Sequence, residues 1–122
     1  MEWFYIKKIN QNKEKFEYKH IYFYSNFDFK RIYASEHVSI DGTYLFPTGF
    51  CQTLIILYYD LIIYKFIPGI YILINNKTEA GYESVFKKIK NDFDNYRKIK
   101  NIKLNWKTFT SDFEKSLTII FN

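Results

Sequence analysis

Two aspartates stand where chemistry could be done. Asp41 ends the apolar run of "HVSIDGTYLF" (37–46), and Asp112 follows "NWKTFT" (105–110) within "SDFE". Each has a purely structural explanation. Asp-Gly between two alternating runs is a strong hairpin signal, because both central residues of a type I′ turn need positive φ. On that reading Asp41 makes a turn and nothing more. Ser111 and Glu114 match a capping box, Ser with Glu three residues later, and Asp112 would then favour the helix dipole from the first turn. A joint explanation competes with both. Two carboxylates on neighbouring strand ends cannot both ionise cheaply unless a cation sits between them. Hard oxygen ligands suit Mg²⁺ or Mn²⁺. In two-metal sites such carboxylates hold ions that activate a nucleophile and stabilise the leaving oxygen of a phosphodiester.

Such a pair needs strands to carry it. "HIYFYS" (20–25) alternates like a strand, and "FDFKRIYAS" (27–35) reads as a short helix or an irregular link. Strands are expected at about 37–45, 50–59 and 62–74, with "FPTG" as a turn between the first two. The stretch 54–74 has the length of a membrane span. Asp60 and Lys65 interrupt it, each costing about 2.5–3.5 kcal/mol near a bilayer centre, and Pro68-Gly69 breaks it again. Its β-branched and aromatic residues favour sheet. It reads as two buried strands that turn near Tyr59-Asp60-Leu61, with no membrane partner.

After "NNKT" the period changes. Tyr82, Val85, Phe86, Ile89, Phe93 and Tyr96 recur at threes and fours, the stripe of an amphipathic helix that Thr78 can cap. Lys87, Lys88, Lys90, Arg97 and Lys98 fall mostly off that stripe, as a solvated face or a nucleic-acid footprint would place them. A strand at 105–110 and a helix through 111–121 with Phe113, Leu117, Ile120 and Phe121 on one side close the chain. The class is α/β: three antiparallel strands, a helix, a strand and a helix. A crossover to a parallel return strand is right-handed in nearly all proteins. The simplest mixed sheet sets strands 37–41 and 105–110 side by side, with both aspartates at the ends where open α/β sheets place their sites.

The 122 residues make one ordinary domain, and thirteen Phe, twelve Tyr and two Trp are ample for a core. A net charge of +5 suits a polyanionic partner, and suits a Lys-rich composition equally. Cys51 is the only cysteine and His20 and His37 the only histidines, so a Cys/His zinc site lacks ligands and a reducing compartment fits. His37 reads as a strand residue and His20 as a surface one. "MEWFYIKKIN" has an acid at position two and no apolar h-region, unlike a signal peptide. Residues 1–19 take no assignment.

Four pieces in order carry a family resemblance: "DGT" after a strand, the "P-x-G-F" turn of Pro47-Thr48-Gly49-Phe50, a paired-strand block ending in "NKTE" before a Tyr-bearing helix, and "SDFEKS" at Ser111–Ser116. Together they resemble the MULE (Mutator-like element) transposase domain over about residues 37–121, with residues 1–36 as a lead-in of strand and helix. The resemblance implies a ribonuclease-H-like fold and a DDE-type triad, with Asp41 the first acid and Asp112 the second, both metal ligands. It implies Mg²⁺ or Mn²⁺ as cofactor, DNA (transposon ends and target) as partner, and a nuclear location. The family's reaction is metal-dependent strand cleavage followed by attack of the freed 3′-hydroxyl on target DNA. The third acid, usually a distant glutamate, has no counterpart in these residues, and Glu114, two positions along a helix from Asp112, points away from it. The expectation is a C-terminally truncated fragment, inactive alone, whose open strand edge could self-associate. A non-catalytic DNA- or protein-binding remnant is the alternative, and an unrelated interaction protein with both aspartates as turn and cap is a third.

Overall fold

The membrane-like stretch folds as an antiparallel strand pair. The computed structural model describes residues 20–111. In chain order these form β1 (His20–Phe23), α1 (Asn26–Ala34), β2 (His37–Thr43), β3 (Gln52–Asp60), β4 (Lys65–Ile74), α2 (Glu79–Lys100) and β5 (Thr108–Ser111). One five-stranded mixed sheet holds them in the order β1-β4-β3-β2-β5. Neighbours are antiparallel except β2 and β5, which run parallel as the crossover through α2 requires. The fold is therefore α/β. Residues 20–34 supply an edge strand and a helix to the same sheet and core. The described helices include none long and apolar enough to cross a membrane.

Strand alternation decides the core face. Val38 and Ile40 of β2, Leu54, Ile56 and Tyr58 of β3, and Ile70, Ile72 and Ile74 of β4 are buried, with the residues between them more exposed. Ile32 and Tyr33 of α1 and Val85, Phe86, Ile89 and Phe93 of α2 join them in one cluster. The expected stripe is thus the docking face of α2, with Lys87 and Lys90 exposed. Thr78 caps α2 as expected, its Oγ1 accepting from the Gly81 N–H at 3.2 Å. Asn101, at φ 54°, ends it in a left-handed C-cap whose N–H donates to the Arg97 carbonyl at 2.8 Å.

β3 and β4 slip register between Ile56 and Leu57, where Pro68 and Gly69 stand opposite. Proline cannot donate to a ladder, so a bulge is where a strand tolerates it. A Cβ on Gly69 would lie 2.6 Å from Ile32 Cδ1, so the bulge also lets α1 press close to the sheet. Beyond α2 the chain is fastened back to α1. The Trp106 indole N–H donates to the Ile32 carbonyl at 2.8 Å, the Tyr33 hydroxyl donates to the Ile102 carbonyl, and the Lys107 and Thr108 N–H groups donate to the Glu36 carbonyl at 2.7 and 3.0 Å. These bonds start β5 beside β2.

Several expectations shift. β2 stops at Thr43 rather than 45, β4 starts at Lys65 rather than 62, and β5 covers 108–111 rather than 105–110. His20 is not a surface residue: it opens β1 on the inward face, opposite Ile74, and is fully buried. A polar residue in a short alternating strand is placed by its phase, which no local signal near His20 gave.

Candidate metal carboxylates at the end of the parallel strands

Asp41 lies within β2, not in a hairpin turn. It pairs with Ile55, and the ladder continues through Gly42 with Leu54 and Thr43 with Thr53. The reversal comes later. Phe50 N–H donates to the Pro47 carbonyl at 3.2 Å, and Gly49, not Gly42, carries the positive φ of 94°. That is a type II pattern, with glycine at the position that needs positive φ. The "P-x-G-F" stretch thus supplies the turn that Asp-Gly could have made, and frees Asp41 from that role. Val38 and Ile40 face the core, so by the strand period Asp41 projects on the other face, where it is exposed.

The register of the parallel pair matches His37 with Thr108, Val38 with Phe109, Ser39 with Thr110 and Ile40 with Ser111. The adjacency expected for these two strands is therefore present. In sequence, Asp41 follows Ile40 and Asp112 follows Ser111. Asp112 itself, Glu114 and the helix expected through 121 lie outside the described residues. Among the described residues no group of three or more His, Cys, Asp or Glu side chains gathers as a metal site would.

The connections at this edge bring further groups to it. Tyr44, Leu45 and Phe46 leave β2 exposed, and Lys77, between β4 and α2, sets its Nζ 5.0 Å from the centre of the Tyr44 ring. The strand expected at about 37–45 takes in Tyr44 and Leu45, which β2, ending at Thr43, leaves out. The signal that could have found them is their continuity: three large apolar residues in a row cannot all face the core of a strand with period two. Behind the loop, the Tyr82 hydroxyl donates to Gln52 Oε1 at 2.7 Å, and burial pushes that phenol above its ordinary range.

The opposite end of the sheet is built differently. His37 Nδ1 and Thr108 Oγ1 lie 2.6 Å apart across the parallel pair. Beside them a cleft of about 340 Å³ is lined by residues that include Arg31, Glu36, His37, Tyr59 and Asp60. Its charges are already paired, Arg31 with Asp60 at 3.3 Å and Lys107 with Glu36 at 3.2 Å. Asp60 accepts from the N–H groups of Ile62 and Ile63 at 2.8 and 3.3 Å, and those bonds, with Arg31, hold its carboxyl below the ordinary range. That aspartate is a turn residue, as the sequence reading of 59–61 expected. No family model, no curated protein and no solved structure matches the chain.

Proposed function

We propose that these residues form the core of a ribonuclease-H-like DDE transposase domain of the Mutator-like kind, with Asp41 and Asp112 holding Mg²⁺ or Mn²⁺ for DNA strand cleavage and transfer. The observation that carries the reading is the parallel pairing of β2 with β5 beside an antiparallel β2-β3-β4 meander, with Asp41 in the ladder rather than in a turn. Such a sheet delivers two strand ends to one edge, and open α/β sheets use that edge for ligands. Asp41 supplies a hard, exposed oxygen ligand there. The chemistry of the pair is to hold one ion against a phosphodiester, the ion supplying the Lewis acidity. In-line cleavage of this kind uses two ions, so the pair would need a third acid beside it to cut.

A second reading, a non-catalytic binding remnant, is favoured by the exposed apolar run Leu61-Ile62-Ile63-Tyr64 at the β3–β4 turn, where Ile62 is 81% exposed. Mn²⁺ binding followed by electron paramagnetic resonance separates the two. The transposase reading expects a bound ion that Asp41→Asn releases, whereas a protein with no specific Mn²⁺ signal contradicts it.

A further inference from the structure

The loop that leaves β2 presents Tyr44, Leu45 and Phe46 to solvent at 71%, 83% and 43% exposure. Its backbone is held on both sides of the Leu45 peptide. The Leu45 N–H donates to Thr43 Oγ1 at 3.3 Å, and Thr53 Oγ1 donates to the Leu45 carbonyl at 2.7 Å. The Pro47–Phe50 turn closes the loop. Tyr44 therefore stands exposed beside a hydrogen-bonded stretch of backbone, and Lys77 brings an ammonium to 5.0 Å from the centre of its ring. A backbone held in advance leaves only the side chain to be ordered when something stacks on the ring.

We propose that Tyr44 and Lys77 form a clamp for an unpaired nucleotide, the ring stacking on the base and the ammonium meeting the adjoining phosphate. This inference rests on the reading of Asp41 as part of a DNA-cleaving site. A base inside a duplex is stacked on both faces, whereas a base in a single strand has a free face for an aromatic ring. The pairing of a π surface with a cation matches the two features that every nucleotide repeats, and the net charge of +5 draws a polyanion toward it. Asp41 precedes Tyr44 by three residues, about 10 Å of extended chain.

Fluorescence anisotropy of the full chain tests the clamp, with a labelled oligothymidylate and a duplex of equal length, both in EDTA so that no metal contributes. The single strand should bind more tightly than the duplex. Tyr44→Ala should weaken single-strand binding by about 5- to 150-fold, the range of one base–aromatic stack, and Tyr44→Trp should restore it. Lys77→Gln should flatten the slope of log affinity against log salt by about 0.7, the increment of one phosphate on a single strand. Equal melting temperatures exclude misfolding of these exposed-site variants. A parent protein that binds no single strand, or prefers duplex, overturns the clamp, as does Tyr44→Ala binding like the parent. Mn²⁺ binding on the same proteins keeps the two readings apart. Tyr44-dependent DNA binding without any Mn²⁺ site removes the role of Asp41 and leaves the clamp; Mn²⁺ lost on Asp41→Asn without Tyr44-dependent binding removes the clamp alone.

Discussion

Asp60 and Gly81 show how single residues fix the connections at opposite ends of the sheet. Asp60 accepts from two backbone N–H groups of the β3–β4 turn and pairs with Arg31, so its carboxyl ionises more readily folded than unfolded. A depressed folded pKa adds stability above the unfolded pKa, and that stability is lost as pH falls through the folded one. Asp60→Ala should therefore lower the denaturation midpoint at neutral pH, and the gap from the parent should close below about pH 4. A gap unchanged down to pH 2 would show that the ionised carboxylate is not what stabilises the turn. Gly81 is a stricter case. Alanine normally gains about 1 kcal/mol over glycine in a helix, yet a Cβ here would meet the Asn76 carbonyl oxygen at 2.6 Å. That contact is backbone and cannot swing aside. Gly81→Ala should lower the melting temperature, and a rise would mean the start of α2 is looser than described.

At the scale of elements, α2 carries the sheet's inner face. Phe86 is fully buried, so Phe86→Ala should cost about 3–5 kcal/mol in urea unfolding. A loss below about 1 kcal/mol would contradict the docking of the helix. This element was legible because Val85, Phe86, Ile89 and Phe93 repeat at helical spacing and Thr78 announces the start. β3 and β4 were legible because Asp60 and Lys65 interrupt a long apolar run of β-branched and aromatic residues. Asp41 was harder. Asp-Gly offers a tight turn locally, and only the competing Pro47–Phe50 turn, with Gly49 at positive φ, lets β2 run on to Thr43. That contest is settled by the cross-strand ladder with β3, which no local pattern encodes. The inward phase of His20 and the exposure of Tyr44 escaped for the same reason: phase and strand ends are set by partners distant in sequence.

For the whole molecule, the mixed sheet sets β2 and β5 side by side in parallel, with Asp41 in the β2 ladder. On the proposed reading Asp41 and Asp112 would hold one ion where in-line phosphodiester cleavage uses two, so the protein should leave supercoiled plasmid uncut in Mg²⁺ or Mn²⁺. Nicking by the parent that Asp41→Ala lacks would show that a third ligand is supplied, for instance by a second copy. The most direct test of the metal pair is a double-mutant cycle on Mn²⁺ affinity with Asp41→Asn, Asp112→Asn and both together. Two ligands of one ion act as a unit, so each single change should weaken binding by at least about tenfold and the double change should cost less than their sum. Parent-like affinity in either single variant, or strict additivity between them, would contradict a shared ion.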